Sequence, residues 1–321
     1  MRTLLFAFFV FLVQQTIFPQ KPAYVLSASG GVTDMIRDGS NLYVATDNGT
    51  VDIFDLNSKR RFVNIVFPKI EDFTGEKIAA KIFSIDKIPG NDTLLMVCQG
   101  MSGFRDVFIY YDQLIKVIDA TSQKMMIREA RFVKPDLILM GLTSDELLLF
   151  DVTAKKILYR IQIGHYTFDD LVLTSDRSKV LTSDESGIIH MFLTDDGTLL
   201  KKYEGQNVDN VFKIDIKDDV LICGGQDRRV AVYDIISSDA YHIQGDFPVY
   251  CVALSPSGGY GAYSSNEDSD IVVFDIDTRD VLFTLTGQES TVNNILFCSD
   301  NKLIVSCESE KIYFWNLKIN K

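Results

Sequence analysis

Three histidines, five cysteines and a recurrent set of acids and amides are the residues of this chain that could do chemistry. His165, His190 and His242 stand far apart and without ligand spacing, so neither a zinc nor a haem site is expected from them. Cys98, Cys223, Cys251, Cys298 and Cys307 form no C-x-x-C pair and no even framework. Most lie in apolar runs such as Leu221-Ile222-Cys223, where a free cysteine acts as a small buried hydrophobe. The chain has no G-x-S-x-G, no P-loop, no dinucleotide fingerprint and no H-E-x-x-H. Asn48-Gly49-Thr50 and Asn91-Asp92-Thr93 match the glycosylation sequon but read as tight turns.

The acids and amides follow an apolar-x-x-apolar pattern: Val32-Thr33-Asp34-Met35, Phe168-Asp169-Asp170-Leu171, Val208-Asp209-Asn210-Val211, Val249-Tyr250-Cys251-Val252 and Val292-Asn293-Asn294-Ile295. Two irregular units place Ala80-Lys81 and Ala130-Arg131 there. If these segments open the innermost strands of a circular array, Asp34, Asp170, Asn210 and Asn294 form a layer of oxygen donors that could suit Ca²⁺. Lys81 and Arg131 in the same layer would neutralise the acids and repel a cation, so no metal and no cofactor is expected. Solvated or internally paired groups lining a channel are the plain reading. One position earlier, Asp169, Asp209, Tyr250 and Asn293 face the rim, where contact with a protein partner is expected, with Lys81 and Arg131 beside them. Tyr250, following Phe247 and Pro248, is the expected anchor, because aromatics dominate interface hot spots.

The elements that would position these residues are short strands. Segments alternating at period two recur, each closed by an aromatic and usually an acid: Val51 to Asp55, Leu147 to Asp151, Val230 to Asp234, Ile271 to Asp275 and Ile312 to Asn316. With Ile188 to Phe192 and Ile109 to Asp112 they give aromatic anchors at 54, 111, 150, 192, 233, 274 and 315, at intervals of 57, 39, 42, 41, 41 and 41. A unit of four short strands at this period is a propeller blade.

On these residues the chain resembles the WD40 β-propellers, with Trp315-Asn316 and the Phe-Asp and Tyr-Asp pairs in the place of the Trp-Asp signature. The resemblance covers residues 22–321 and implies an all-β, seven-bladed propeller of four-stranded blades. It departs from the family pattern in the polar lock of each blade. Gly164-His165 is the only Gly-His pair, Asp227 and Asp268 fit the turn acid, and no blade holds the full set. Apolar packing between blades is expected to carry the stability instead. Only six residues follow Trp315, too few for a fourth strand, so residues 22–28 are expected to pair with 311–317 and close the ring. The long first interval places its excess in Pro68 to Glu76 and Gly100 to Arg105.

The chain of 321 residues carries 32 Lys and Arg against 44 Asp and Glu, a net charge of −12 that disfavours nucleic acid and anionic lipid surfaces. Arg2 precedes ten apolar residues, Leu4 to Val13, the pattern of a secretory signal. Ten helical residues rise only about 15 Å, half of a hydrocarbon core, so no stable membrane span is expected. Residues 1–20 are therefore read as a signal peptide with cleavage around 16–22, and the protein as periplasmic. An exported, degenerate seven-bladed propeller of this length is similar to the NapL-type propellers encoded with bacterial periplasmic nitrate reductases. That resemblance implies a non-catalytic accessory protein whose partner is a respiratory enzyme subunit. The alternatives are an enzyme using the channel mouth, a hydrolase or an oxidoreductase, and an intracellular scaffold.

Overall fold

The computed structural model describes residues 19–319 except 89 and 238. Of residues 1–20, expected to be a signal peptide, those up to residue 18 lie outside the described residues. Seven four-stranded antiparallel sheets form the blades of a β-propeller. Their innermost strands, which define blades 1 to 7, are Val32–Asp38, Ile82–Lys87, Ile127–Lys134, Phe168–Leu173, Val211–Lys217, Val252–Leu254 and Val292–Ser299.

Burial within a blade explains its sequence. The second and third strands are sandwiched between neighbouring blades, so both faces are apolar: Leu42 to Ala45, Leu94 to Cys98 and Leu303 to Val305 are buried without alternation. Outer strands cover one neighbour only, and Lys156–Gln162 and Ala240–Gln244 alternate between exposed and half-buried positions. The apolar clusters run across blade interfaces, as where Leu95 and Val97 of blade 2 pack with Phe132 and Met140 of blade 3. In blade 3 a Cβ at Gly141 would sit 2.2 Å from the Phe168 ring of blade 4, so only glycine lets that ring seat.

The ring closes through the N-terminal strand, as expected. Tyr24–Ser27 pairs antiparallel with Lys311–Asn316 as the fourth strand of blade 7, with Tyr24 opposite Phe314 and Ser27 opposite Lys311. The Tyr24 and Phe314 rings stack at 4.2 Å and 10°. Gln20 extends the strap to blade 6: its N–H donates to the Thr284 carbonyl at 2.8 Å, and its own carbonyl accepts from Thr286 N–H and from Trp315 Nε1.

Blade 2 departs from the sequence reading in register. Tyr110 pairs with Leu94 as Phe54 pairs with Leu42, so the anchor is Tyr110 and not Tyr111, which is exposed. Much of the extra length of the first interval is the small hairpin Ile70–Glu71 with Lys77–Ile78, as expected. A further part lies in the turn from Ile88 to Thr93, where the Asn91 side chain accepts from Thr93 N–H. Asn48-Gly49 is likewise a turn, with Gly49 at φ +69°. Cys98, Cys223, Cys251 and Cys307 are buried, Cys298 is half-buried, and all are free thiols.

Candidate functional site: the channel mouth

The innermost strands open with a bulge that fixes the alignment of the blades around the channel. Val32 faces Thr46 and Asp34 faces Ala45, skipping Thr33, and the same shift occurs at Ile82/Ser84, Ile127/Glu129, Phe168/Asp170, Val211/Lys213 and Val292/Asn294. The residue skipped is the rim residue of its blade: Thr33, Phe83, Arg128, Asp169, Phe212 and Asn293, with Tyr250 in blade 6. The next residue points into the channel: Asp34, Ser84, Glu129, Asp170, Lys213, Cys251 and Asn294.

This register corrects the sequence reading in three blades. In blade 5 the strand begins at Val211 and not at Val208, so Asn210 leaves the channel layer and Lys213 takes its place. Asp209 is an exposed loop residue whose carboxylate accepts from Asn210 N–H, and it does not line the mouth. Blades 2 and 3 present Ser84 and Glu129 to the layer. Arg131 lies one step deeper, bonded to Glu129 at 2.9 Å, and does not line the mouth either.

Most of the channel side chains bond to the neighbouring blade. Asp34 accepts from Ile85 N–H at 2.9 Å, Ser84 from Ala130 N–H at 3.2 Å and Asp170 from Ile214 N–H at 2.9 Å. Two residues further along the strands, Asp86 accepts from Phe132 N–H at 2.7 Å and Asp215 from Leu254 N–H at 2.8 Å. Asn294 donates to the Thr33 carbonyl, joining blade 7 to blade 1. Innermost strands of adjacent blades share no ladder, so their inward N–H groups need such partners.

Charge in the channel is internally compensated. Burial opposes the charge of Lys213, but Asp170 at 2.7 Å and Glu129 outweigh it and keep the ammonium above the usual lysine range. Burial likewise pushes Glu129 up, yet Arg131 and Lys213 bring it below the usual value. Asp34 and Asp170 remain raised by burial despite these cations. At the far end of the channel Arg177 bonds Asp86 at 2.8 Å and the Lys87 carbonyl at 2.9 Å. Among the described residues no group of three or more His, Cys, Asp or Glu is placed to hold a metal ion.

The mouth is a cavity of about 590 Å³ whose floor is Asp34, Glu129, Asp170, Lys213 and Asn294 of this layer and whose walls are the rim residues, Lys81, Asp47 and Glu308. Tyr250, 37% exposed, stacks on Phe212 with centroids 5.2 Å apart and meets Phe247 edge-on. Across the cavity the Arg105 guanidinium lies 3.6 Å from the Phe83 ring centroid and Lys81 5.5 Å from it. Asp169 is pushed up to about 6 by burial, with Arg128 opposing, and one of its carboxylate oxygens is buried without a partner. Asn293 is committed to the fold: it donates to the Val32 carbonyl and accepts from Ser306 Oγ at 2.7 Å. Of the six residues expected at the rim, the structure brings Asp169, Tyr250, Asn293 and Lys81 together at the mouth. Phe212, Phe83 and Arg128 join them.

The polar lock of the blades takes a substituted form. In blade 5 the expected turn acid Asp227 accepts from Asn207 Nδ2 at 3.1 Å and from Val208 N–H at 2.8 Å. His165 is exposed, and the turn acid of its neighbour, Asp145, accepts from the backbone of Tyr166.

These features define a seven-bladed propeller with a recessed, aromatic and charged mouth. Residues 279–316 match the family described as "WD domain, G-beta repeat". No curated protein matches the chain. Among solved structures, it is similar to the β-propeller domain of Cps50 (Swd1) from Myceliophteria thermophila, at 16% identity and a TM-score of 0.74. That alignment covers 94% of this chain and 100% of the other.

Proposed function

We propose that this chain is an exported, non-catalytic propeller that binds a protein partner through the channel mouth. The observation that carries the reading is the division of labour between the two layers. Both layers line the cavity, but the channel residues Asp34, Glu129, Asp170, Lys213 and Asn294 are spent on joining blades and neutralising one another, whereas the side chains of Tyr250, Phe212, Phe83 and Lys81 make no hydrogen bond or ion pair among the described residues that would commit them. Aromatic and arginine side chains in a recessed surface are what a protein interface uses. The apolar segment Leu4 to Val13 supports export, and size, blade count and export together support a periplasmic respiratory enzyme, a nitrate reductase above all, as the client.

Binding of the purified periplasmic nitrate reductase to the immobilised propeller tests the reading. Tyr250→Ala is expected to weaken it about thirtyfold, the loss of one hot-spot side chain of about 2 kcal/mol. Lys81→Glu should slow association, and Asp209→Ala should leave binding unchanged. Equal binding by wild type and Tyr250→Ala would move the site away from the mouth. Accumulation of the full chain in the cytoplasm would return the protein to the intracellular scaffolds. Asp169, with its raised carboxyl, is the group that favours a second reading, a hydrolytic site at the same mouth. Turnover of an ester or lactone panel that Asp169→Asn abolishes would establish it.

A further inference from the structure

A second cavity, of about 450 Å³, lies where the ring closes, between blade 7 and blade 1. Arg37 comes from the end of the innermost strand of blade 1 and Lys59 from a turn of that blade, Lys302 from the second strand of blade 7, and Tyr24 from the closing strand. Its apolar walls are Leu56, Phe314 and the edge of Trp315. Among the described residues the lining contains no carboxylate, in a chain whose net charge is −12. None of the three cations forms an ion pair there. Arg37 donates one N–H to the Cys298 carbonyl at 3.0 Å, which leaves most of its fork free, and Lys59 rests 4.0 Å above the Tyr24 ring. Arg37 and Lys302 both act electrostatically on the half-buried Cys298 thiol, which places their charges around one point.

Three like charges converging on one cavity with no carboxylate in its lining give it a positive potential that favours an anion. One carboxylate would neutralise a single cation, whereas a phosphoryl group offers up to two charges and three acceptor oxygens. The cavity far exceeds inorganic phosphate in size and has an apolar wall. We propose that this pocket binds a phosphorylated organic molecule of nucleotide size, its phosphates against Arg37, Lys59 and Lys302 and its body against Tyr24 and Leu56. Bound there, the ligand bridges blade 1 to blade 7 and strengthens the closure of the ring.

The test is thermal unfolding and calorimetry of the full protein in low salt without divalent cations, with ATP, tripolyphosphate and adenosine as probes. ATP at about a hundredfold excess over its dissociation constant is expected to raise Tm by several degrees, because a ligand bound only to the folded state stabilises it by mass action. Tripolyphosphate should bind at least fivefold more weakly, and adenosine should produce no shift. Arg37→Ala with Lys302→Ala should abolish the ATP response, and Lys59→Gln should weaken it about tenfold. All three side chains are exposed, so the variants should fold, which circular dichroism checks. Absence of an ATP response would overturn the proposal, as would an equal response in the double variant. Equal affinity for tripolyphosphate and ATP would refute the organic body.

Discussion

Removing the closing strand is the perturbation with the most to say about how this ring holds together. Tyr24, Leu26 and Ala28 turn inward against Val32, Ile304, Ile312 and Phe314, while Val25 and Ser27 face out. Beyond the four paired residues, Ala23 N–H donates to the Phe314 carbonyl and Ala28 N–H to the Glu310 carbonyl. Tyr24→Ala loses a stacked ring pair, about 1 kcal/mol, and roughly 1 kcal/mol more of half-buried apolar area. In a domain of this size about 2 kcal/mol lowers Tm by roughly 4–6 °C. Leu26→Ala should cost about 1.5 kcal/mol on the same footing. Val25→Ala should cost about a few tenths, since the side chain is 44% exposed and points away from the cluster. Deleting residues 19–28 removes the whole ladder and the Gln20 contacts, about 5 kcal/mol or more, comparable to the entire stability of many domains. The deletion should therefore lower Tm by more than about 10 °C. It also leaves Lys311–Asn316 as an open edge, so self-association should appear by light scattering. Melting curves by circular dichroism read all four variants. A deletion that melts within 1–2 °C of wild type would refute closure by this strand, and equal costs at Val25 and Leu26 would refute its register.

Three further outcomes follow from the same contacts. If the N-terminal segment is removed as proposed, the mature chain should begin no later than Gln20, because Thr286 N–H and Trp315 Nε1 both depend on the Gln20 carbonyl; an N-terminus at Ala23 by mass spectrometry would contradict this. Asp215→Ala strands the Leu254 N–H between blades 5 and 6 and should cost about 1–3 kcal/mol, with Asp215→Asn milder; an unmoved urea midpoint would remove the stitch from the account. Asp145 is held up to about 6 by burial and by the nearby Asp184, so its charged form disfavours the fold. Its contribution is fully present below the unfolded value near 4 and is lost as pH rises through about 6. Asp145→Asn should therefore raise stability at pH 8 by about 1 kcal/mol after allowance for solvent screening, seen as a higher Tm, and leave Tm unchanged at pH 4. A difference that is independent of pH would show that the gain is not electrostatic.

The strands that are buried on both faces were the legible part of this fold. Their continuous apolar runs and closing aromatics repeat at nearly constant spacing, and the strand character of residues 22–28 ahead of the first blade pointed to the segment that pairs with Lys311–Asn316 in blade 7. The innermost strands were less legible, because the channel admits polar side chains and the apolar pattern thins. In blade 5 Val208, Val211 and Ile214 are spaced by three, so the pattern fits at Val208 as well as at Val211. Val208 is 63% exposed in the preceding loop. The alternation Lys213-Ile214-Asp215-Ile216-Lys217 was the signal that distinguishes the two, since it requires a strand whose polar face meets the channel. Phe212 and Phe83 escaped notice for the same reason, as each stands one place after a strand start that was set elsewhere.

The role of the acids follows from that corrected register. Asp34 and Asp170 hold the same place in their blades, and each accepts from the N–H one place further along the next blade's strand. Asp86 and Asp215 do the same two residues deeper. A side chain bound to a backbone N–H in this way is fixed by the blade it must recognise, and it cannot also follow a ligand. Lys213 breaks the series as a donor, and it finds Asp170 and Glu129 within the same layer. The polar ring thus encodes which blade follows which, a demand the open centre of the propeller makes because no ladder runs there. Variation at the rim is freer of that demand, apart from Asn293, whose amide is spent on Val32 and Ser306, and Arg128, which donates to the Asp169 carbonyl of blade 4. Recognition then rests on the residues with side chains left over, Tyr250, Phe212, Phe83 and Lys81, and these are where a change should alter binding while the fold is kept.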